Sequence, residues 1–560
     1  MLYRVINITF QVAFFGTAIG AIVSLLSVGF VYGVKFISGF RESYHSCFFE
    51  LGSLCFSLAP LFFLLIAASI IIVVKRTLSI TRYHGPADVI LSAHSPSEQL
   101  DPKTGFLSTF AAFVSASGGA SVGQYGPLVH LGGTIGNILN RILPGLLSKD
   151  IFIGCGVAAA ISAGFNSPIG GIIFAHEAIL RHFSFRAIAP IAVSSVTSAT
   201  LTNYFFPSAI LFQNTDSDIS MFPAVTLSLF LGPVCAIIAV IFMRSLLSLQ
   251  KNMNKISENE ITRIFFAALI CGLIGGFIPE VLGLGGSTIE GILANSYTLY
   301  FIILILLLKL IVTVVCLSLG YFGGVFSPAL VLGAAIGGIF TFGGNVFGIN
   351  MLGDSLILAG MAALSASVIG APIASIVIIF ELTHSYDLAF VSIICVAGSC
   401  LISSLIFGHS FFDKQLLNRR FKISRGRTEI LLSERPITNL LGKNKFLSIE
   451  SGASKEDFMK AFENCEFTEA YIVDNQNRLT GKTKVNDLLG SGRKAENTPY
   501  PLAINSSSTI SDAIVKASNF VGESIPVIDD DKTLLGVVTE ADLFSEYLEI
   551  QEAISKIEKD

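Results

Sequence analysis

The chain has 560 residues, of which 52% are hydrophobic and only 14% charged, and its formal net charge is −4. Soluble proteins carry about 25% charged residues, so this composition, with a mean hydropathy of +0.71, excludes a soluble globular protein and indicates a polytopic membrane protein. Nine cysteines are present and none form a Cys-x-x-Cys pair, which argues against a disulfide framework or a zinc site.

Long apolar runs are spread over the first 407 residues. The first, at residues 7–38, is far longer than the core of a signal peptide, so we predict a retained transmembrane helix. Further runs able to cross a bilayer about 30 Å thick lie at residues 56–75, 222–248, 260–278, 298–319 and 387–407.

Shorter segments rich in glycine and alanine lie between these runs. We predict that they are too short or too broken to span alone and form re-entrant or tilted half-helices, which survive at membrane depth only when buried in protein or facing water. They lie at residues 107–119, 127–143, 151–163, 168–181, 328–346, 356–368 and 372–383.

Lysine and arginine in short loops predict the orientation. One cluster follows the second apolar run and another follows the last, and the positive-inside rule places both in the cytoplasm. The more highly charged tail after Phe412 should be cytoplasmic too, and its roughly 130–150 residues suit about one compact domain. The clusters are Lys75, Arg76 and Arg82, then Arg419, Arg420, Lys422, Arg425 and Arg427.

Two segments with glycine and proline repeat at a constant offset of 201. Residues 123–127 (GQYGP) match residues 324–328 (GVFSP). At an offset of 204, Gly156, Ala158, Ala159, Pro168, Ile169, Ile172 and Glu177 recur as Gly360, Ala362, Ala363, Pro372, Ile373, Ile376 and Glu381. Interrupted apolar segments at matching places in two halves predict a transporter whose binding site lies at the repeat interface, near the middle of the membrane.

The ends of the broken helices favour an anion as the substrate. A helix N-terminus offers unpaired N–H groups and about half a positive charge, so two such ends can hold a dehydrated anion without a cationic side chain. The alternative is that the glycines only permit close helix packing. The repetition of the pattern favours the anion site.

At this point the residues resemble the CLC chloride channels and anion/proton exchangers. GQYGP at 123–127 resembles the family's Gly-Lys/Arg-Glu-Gly-Pro segment, GVFSP at 324–328 its Gly-x-Phe-x-Pro segment, and FNSPIGG at 165–171 its Phe-Asn-x-Pro run. The resemblance implies an α-helical polytopic membrane protein with a CLC-type inverted repeat of tilted, broken helices. It also implies a homodimer with a separate pore in each subunit. The halves would be residues 1–215 and 220–412, followed by a linker at 413–435.

The resemblance also implies which backbone groups bind the anion. The N–H groups of Val325 and Phe326 would hold a central anion. Those of Gln124, Tyr125 and Gly126 would form an outer position.

Two side-chain positions complete the implied site. YHGP at 83–86 resembles the family's Gly-Ser-Gly-Ile-Pro opening, which places His84, beside Gly85, where a hydroxyl-bearing ligand usually stands. Phe412 occupies the place of the second ligand, normally a tyrosine. We leave two interpretations of His84 open: it binds the anion and makes flux sensitive to pH, or it only faces solvent in a vestibule.

The chain departs from the family at both positions of the proton route. The gating glutamate is replaced by Tyr125, whose phenol is neutral at physiological pH and cannot imitate chloride. The inner proton glutamate aligns with Ala178, while the neighbouring Glu177 matches a position that is acidic in channels and exchangers alike. We therefore predict an anion conductor, channel-like or uncoupled, in which Tyr125 is the gate.

Chloride is the default anion, and bicarbonate, nitrate and fluoride remain open. One alternative is a proton-coupled antiporter that uses another route, such as His84 or Glu177. A second is a membrane sensor that transports nothing. Lys309 is expected either to attract anions in a vestibule or to pair with Glu381 or Glu177. We expect local hydrogen bonds, and no function, for His130 and His176.

The tail contains its own repeat, in which YIVD at 471–474 recurs as PVID at 526–529. Alternating apolar strands predict two βαββα-like units, at 436–492 and 498–550, which resemble a pair of CBS domains. In that family a Gly-x-x-Thr/Ser-x-x-Asp motif holds an adenine nucleotide. The second unit has it as Gly536, Thr539 and Asp542, while the first has Lys484 at the hydroxyl position. Both a tail that stabilises the dimer and one that senses ATP, ADP or AMP stay open.

No Walker loop, zinc-hydrolase motif or nucleophile elbow is present, so we do not expect an enzyme. The expected partners are a second copy of the chain, membrane lipid and the transported anion, with no nucleic acid. The expected location is the bacterial inner membrane.

Overall fold

The computed structural model of the chain divides into two compact units, Met1–Arg419 and Arg420–Asp560. We call the first the membrane unit and the second the tail. The structure describes residues 2–44, 48–51, 54–80, 82–95, 98–143, 147–205, 220–346, 354–419, 421, 431–432, 435–442, 444–463, 465–486, 502–518 and 520–559.

In the first half of the membrane unit, long apolar helices alternate with short ones, and an antiparallel hairpin follows the first helix. After α7 the chain continues as a π-helix, Ala175–Leu180. The elements are α1 (Leu2–Ser43), β1 (Phe49–Leu51), β2 (Leu54–Phe56), α2 (Ala59–Thr77), α3 (Pro86–His94), α4 (Pro102–Ser117), α5 (Tyr125–Ile142), α6 (Lys149–Phe165), α7 (Pro168–Phe174) and α8 (Phe185–Phe205).

The second half repeats this alternation. Its elements are α9 (Met221–Asn252), α10 (Glu260–Phe277), α11 (Gly286–Leu293), α12 (Leu299–Leu319), α13 (Phe326–Val346), α14 (Ser355–Ile369), α15 (Pro372–Thr383), α16 (Tyr386–Phe407) and α17 (Phe411–Asn418). The predicted start of the linker, residue 413, lies inside α17.

Within the described residues, seven helical stretches are long and apolar enough to cross a bilayer. Six of them fall on the six predicted apolar runs. The seventh is α13, and it corrects the expectation that residues 328–346 are too short or too broken to span, because it is a continuous helix of 21 residues. Gly333 and Gly337 do not interrupt it, since they lie where α14 packs.

The repeated glycines within the helices serve close packing. A methyl group on Gly132 would lie 2.1 Å from the carbonyl oxygen of Gly156, and one on Gly333 would lie 2.2 Å from that of Gly360. No side chain fits at such distances, so α5 packs on α6, and α13 on α14, through bare backbone. These four glycines, which lie inside the helices, therefore serve helix packing.

The two halves cap each other's short helices. The carboxylate of Glu177, in the π-helix, accepts the N–H groups of Ile373 (3.0 Å) and Ala374 (2.8 Å) at the start of α15. The carboxylate of Glu381, in α15, accepts those of Ile169 (2.9 Å) and Gly170 (2.8 Å) at the start of α7. A negative charge at a helix N-terminus is stabilising, so this reciprocal pair joins the halves.

The tail contains two three-stranded sheets of the same design, in which the first two strands are parallel and the last two antiparallel. A β-bridge between Arg478 and Thr533 joins the turns of the two units. The elements are β3 (Leu447–Glu450), α18 (Lys455–Glu463), β4 (Glu469–Val473), β5 (Leu479–Lys484), β6 (Ile504–Asn505), α19 (Ile510–Ala517), β7 (Ile525–Ile528), β8 (Leu534–Val538) and α20 (Glu540–Lys559).

Candidate anion site

The two repeated glycine segments meet directly, backbone to backbone. The N–H of Gly123 donates to the carbonyl of Gly324 at 2.7 Å, and the N–H of Gly324 donates back to Gly123 at 2.7 Å. A methyl group on Gly123 would lie 2.8 Å from the Gly324 carbonyl oxygen. Glycine is therefore required for this close approach, which sets the spacing of the segments that precede α5 and α13.

A small cavity lies beside this bridge. Its volume of about 90 Å³ equals that of roughly three water molecules at about 30 Å³ each. Helices α3, α13 and α17 all begin at or next to its lining, so their unpaired N–H groups and partial positive charges lie close to it. Such a cavity suits a small, partly dehydrated anion. The lining includes Gly85, Pro86, Gly324, Val325, Phe411 and Phe412.

Of the predicted site residues, the structure brings Gly85, Val325 and Phe412 together around this cavity. The N–H of Gly85 is already engaged, because it donates to the carboxylate of Asp88 at 2.9 Å. The side chain of Phe412 is buried and gives the cavity an apolar wall without a hydroxyl.

Tyr125, the predicted gate, belongs to a buried aromatic cluster. Its ring stacks on that of Phe165 with centroids 3.6 Å apart and planes 12° apart, and it meets the ring of Phe326 edge-on at 5.4 Å. The rings of Phe165 and Phe326 are 5.0 Å apart. Tyr125 is the first residue of α5 and only 5% exposed, so its ring is enclosed by protein at the start of that helix.

The remaining predicted outer residues are in the same segment. The N–H of Gln124 makes a long contact of 3.4 Å to the hydroxyl of Ser327, and its side-chain oxygen is buried with no hydrogen-bond partner among the described residues. Gly126 packs against Gly324, because a methyl group there would lie 3.0 Å from the Gly324 Cα.

The ring of His84 packs against another histidine. It meets the ring of His130 at 5.8 Å between centroids, with the planes 78° apart, while the backbone N–H of His84 donates to Ser108 at 2.9 Å. The Nδ1 of His84 and both ring nitrogens of His130 are buried without hydrogen-bond partners in the described part of the chain. The prediction that local hydrogen bonds satisfy the His130 ring is therefore wrong.

Charged groups that sequence reasoning missed surround one end of the cavity. The carboxylate of Asp88 accepts from Arg82 at 2.6 Å and from Arg419 at 2.9 Å, and both Asp88 and Arg419 line the cavity. The sequence carried one signal for Asp88: it stands three residues after Gly85, at the N3 position of a capping box.

The positions where the resemblance implies a proton route, Tyr125 and Ala178, have no carboxylate. Ala178 is buried in the π-helix, and both carboxylate oxygens of Glu177 accept backbone N–H groups of α15. Glu177 therefore acts as a helix cap in this structure.

Neither expectation for Lys309 is correct. Its ammonium group is fully buried and donates to three backbone carbonyls, those of Val281 (3.1 Å), Leu282 (3.3 Å) and Gly283 (2.9 Å). It has no carboxylate partner among the described residues. His176 does have the local hydrogen bond expected of it, between Nδ1 and the carbonyl of His182 at 3.0 Å, although its Nε2 is unpartnered there.

In the tail, Thr539 and Asp542 cap α20. The carboxylate of Asp542 accepts from the N–H (2.8 Å) and hydroxyl (2.6 Å) of Thr539, and also from the side chain of Asn444. In the first unit, Lys484 pairs with Glu469 at 3.1 Å, and the matching Asp487 lies outside the described residues.

In the first tail unit, Glu469 forms ion pairs with Lys482 and Lys484. Burial alone would raise its pKa, but hydrogen bonds from Lys482, the N–H of Glu523 and Lys484 outweigh burial and hold the pKa below its ordinary value. This carboxylate is therefore ionised and paired at neutral pH.

Comparisons with known proteins agree with this architecture. The family model described as "Voltage gated chloride channel" matches residues 63–404, and the CBS domain model matches residues 497–549. The chain is 28% identical over 337 residues to the H(+)/Cl(−) exchange transporter ClcA of Vibrio parahaemolyticus serotype O3:K6. The alignment covers 58% of this chain and 71% of that protein.

Two solved structures have similar folds. A slow cyanobacterial Cl⁻/H⁺ antiporter matches with a TM-score of 0.65 and 19% identity over 73% of this chain and 98% of its own. A eukaryotic CLC transporter matches with a TM-score of 0.62 and 16% identity over 95% of this chain and 98% of its own. The predicted fold class, including the CBS-type tail, is confirmed.

Proposed function

The chain belongs to the voltage gated chloride channel family, and we propose that it conducts a small anion, chloride by default, across the membrane without coupling to protons. The family places the chain among anion transporters rather than enzymes, and its apolar helices make it an integral membrane protein. The relatives named above as exchangers move chloride against protons, so the proposal departs from them on coupling.

The observation that carries this proposal is the aromatic cluster of Tyr125, Phe165 and Phe326. A glutamate at position 125 could leave the helix N-terminus when protonated and return as an anion. A phenol stacked on Phe165 at 3.6 Å keeps its proton at physiological pH, so it neither releases a proton nor gains a negative charge. The ring can only block the path or leave it, which is the behaviour of a steric gate.

The proposed path uses groups of the chain in sequence. Arg419 at the cavity raises the local concentration of anions. An anion that sheds part of its water is then held by the N–H groups of Val325 and Phe326, at the N-terminus of α13. The Gly123–Gly324 bridge keeps these groups in place. When the Tyr125 ring swings off Phe165, the anion passes to the N-terminus of α5, at Gln124, Tyr125 and Gly126.

Reconstitution with simultaneous measurement of anion and proton flux tests the proposal. Purified protein in liposomes loaded with chloride should release chloride when a potassium ionophore is added, with no proton movement beyond that of protein-free vesicles. A fixed number of protons moved per chloride would overturn the uncoupled mechanism. The absence of any flux of chloride, bicarbonate, nitrate or fluoride would overturn anion conduction itself and favour a sensor.

One observation favours a coupled alternative. His84 and His130 lie ring against ring with buried, unpartnered nitrogens, and an imidazole can carry a proton near neutral pH. Glu177, the other candidate, is engaged as a helix cap. If coupled flux is observed, its loss in His84→Ala would assign the proton to the histidine pair.

We also propose the homodimer, with the two membrane halves and the two tail units divided as predicted from the sequence, except that α17 extends the membrane unit to Arg419. The supporting argument is that α7 with its π-helix, and α15, are too short to span, while Ile169 and Ile373 at their starts are about half exposed. Short helices of this kind need protein cover at membrane depth, and a second copy would supply it. Cross-linking in native membranes tests this, and a monomer at all protein concentrations would contradict it.

We propose that the protein lies in the bacterial inner membrane with its tail in the cytoplasm. We also propose that the tail stabilises the dimer. The supporting observation is that the carboxylate of Asp542 already accepts three hydrogen bonds within the chain. Calorimetry of the full-length protein with ATP, ADP and AMP should show no binding heat. Heat that disappears in Asp542→Asn would instead support a nucleotide sensor.

A further inference from the structure

The second unit of the tail has an apolar groove between its two helices, α19 and α20. The volume of the groove is about 600 Å³, and buried Leu543 forms part of its floor. Because almost all of its lining is apolar, the groove suits an apolar protein surface better than a polar ligand, which needs a few precisely placed polar groups. The apolar lining comprises Ile514, Ala517, Ala541, Leu543, Phe544 and Tyr547.

Large apolar side chains are exposed beside this groove. Phe544 is 63% exposed, Val515 59% and Leu548 41%. Phe544 and Leu548 are four positions apart on α20 and therefore lie on one side of that helix, while Val515 lies on α19. Together with Ala541 these residues form a surface that we call the α19–α20 face. A contiguous apolar patch at a protein surface is typical of a protein-binding site.

The first tail unit has the same strand and helix order but no such face among its described residues. Every large apolar side chain that is exposed in the described part of the tail belongs to the second unit. In the first unit, α18 instead exposes Glu456, Asp457 and Lys460. The α19–α20 face is therefore a specific feature of the second unit and not a consequence of the shared design.

Exposed charges of opposite sign flank the groove. Lys516 is exposed on α19, and Glu540 and Glu549 are exposed on α20. The other charge of α19, Asp512, is engaged in the capping box of that helix. A two-fold rotation that lays α20 of one copy on α19 of another brings acidic residues against Lys516 and Phe544 against the opposite groove. The face is thus complementary to itself, as an interface between two identical copies requires.

We propose that the α19–α20 face docks on the same face of a second copy of the chain, with Phe544 of each copy in the groove of the other. The inference rests on the homodimer proposed above, and it names the surface through which the tail stabilises that dimer. Two tails that are tethered to one membrane dimer have a high effective concentration, so a contact between two helix pairs is enough to hold them together.

Other occupants of the groove match these observations less well. A lipid chain or an apolar small molecule would fill the groove but would leave Val515 and Leu548 exposed and the flanking charges without partners. The first unit of another copy presents charged residues on α18 and offers no apolar side chain to bury. A second copy of the α19–α20 face covers the apolar residues and pairs the charges at once.

Cross-linking at Ala541 in the full-length protein tests the inference. Ala541→Cys in liposomes, treated with a short bis-maleimide, should give a species of twice the chain mass. We expect its yield to be at least about fivefold above that of Asp531→Cys, an exposed residue between β7 and β8, because only the docked face is held at high effective concentration. The nine native cysteines are common to both variants, and the natural protein gives their background.

A second measurement is the protein concentration at which the full-length dimer dissociates in detergent. Phe544→Ser should raise this concentration at least about tenfold, because it removes from the interface an apolar ring that is buried only in the dimer. The fold of the tail should be unaffected, since Phe544 is largely exposed within one copy. Leu535→Ser is the matched control: Leu535 is an exposed apolar residue of β8 that does not line the groove.

Reversal of the flanking charges tests whether the occupant is a second copy. Lys516→Glu should lower the cross-linking of Ala541→Cys, because it places acidic residues opposite one another. Adding Glu540→Lys or Glu549→Lys to the same chain should restore the yield, since both copies then exchange the signs of their facing charges. Only docking of the face on itself predicts recovery from two changes within one chain.

The outcomes separate this inference from the proposed homodimer. A dimer in which Ala541→Cys cross-links no better than Asp531→Cys would overturn the docking of the α19–α20 face and leave the homodimer intact. A monomer at all concentrations would overturn both. Unchanged dissociation of Phe544→Ser, or recovery with neither charge reversal, would also reject the inference, and quenching of a fluorophore on Ala541→Cys by spin-labelled lipid would assign the face to the bilayer instead.

Discussion

The two inverted halves are alike where α7 crosses α15 and unlike at the anion cavity. At the crossing, Glu177 and Glu381 make the same pair of hydrogen bonds to the start of the opposite short helix. At the cavity, Tyr125 corresponds to Phe326 in the repeat. Tyr125 stacks on Phe165, whereas the residue that matches Phe165 at the offset of 204 is Ile369, which has no aromatic ring to offer.

The symmetric crossing is structural, whereas the asymmetric helix starts lie where we propose that the anion binds. The crossing keeps its symmetry because each half must satisfy the N–H groups of the other's helix. The helix starts where we propose that the anion binds have diverged: Val325, before Phe326, lines the cavity, while the Tyr125 ring packs between Phe165 and Phe326. In the proposed path the first helix start is open to an ion and the second is closed by the Tyr125 ring.

The largest expected effect comes from breaking the symmetric crossing. Glu381→Gln and Glu177→Gln should each lower the free energy of unfolding by about 2 kcal/mol, because each removes a charged acceptor from two N–H donors. Glu381→Gln should cost more, since Glu381 also accepts from the hydroxyl of Ser167. Chemical unfolding in detergent measures this, with exposed Glu290→Gln as the control. Unchanged stability of Glu177→Gln together with altered proton flux would show that Glu177 belongs to a proton route.

The second-largest effect should come from Tyr125, whose aromatic stack has no counterpart in the second half. Tyr125→Ala should raise chloride flux about tenfold, because it removes two aromatic contacts worth about 0.5–1.5 kcal/mol each, and 1.4 kcal/mol corresponds to tenfold. Phe165→Ile, which copies the second half, should raise flux less. Tyr125→Phe keeps the stack and is the control. Flux and selectivity unchanged in Tyr125→Ala would remove both the gate and the ligand role of Tyr125.

A smaller effect is expected at the charged end of the cavity. Arg419→Gln should lower chloride flux about threefold at low ionic strength, and the difference should shrink in high salt because screening weakens the attraction. Arg82→Gln is a matched control, since Arg82 pairs with the same Asp88 but its side chain is 47% exposed. An equal, salt-independent loss in both variants would indicate damage through Asp88 instead.

The smallest effect should come from His84. Because its ring packs on His130, His84→Ala should change chloride flux by less than about twofold and leave anion selectivity as it is. Flux measured between pH 5 and 8 in both proteins checks this. A pH dependence that is present in the natural protein and absent from His84→Ala would make His84 an ion or proton ligand.

Local chemistry made part of the site predictable. The repeated Gly and Pro at 123–127 and 324–328 mark the ends of helices, and the structure begins α5 and α13 there. In the tail, strands β3 and β5 follow from alternating residues, whereas β4 and β7 are continuous apolar runs that are buried along nearly their whole length. The same glycine-rich composition led to the wrong prediction for α13. Glycine indicates a helix break when its packing partner is unknown. In α13 the partner of Gly333 and Gly337 is the bare backbone of α14.

Contacts between distant residues could not be predicted. The repeat singled out Glu177 and Glu381, but nothing local indicates that each carboxylate binds N–H groups about 200 positions away. From the sequence, Lys309 is expected to pair with a carboxylate, whereas in the structure its ammonium group donates to three backbone carbonyls of one turn. The stack of Tyr125 on Phe165 joins helices 40 residues apart and depends on the packing of α5 against α6.

The Gly123–Gly324 bridge limits how the pore can open. Two hydrogen bonds of 2.7 Å tie together the two backbones that we propose bind the ion, so the helix ends cannot separate without breaking both. The moving part is then a single rotamer change of one phenol ring. We expect such a gate to open faster than a hinge or shear movement, which takes microseconds to milliseconds, and conduction should therefore depend less steeply on temperature than it would with a hinged gate.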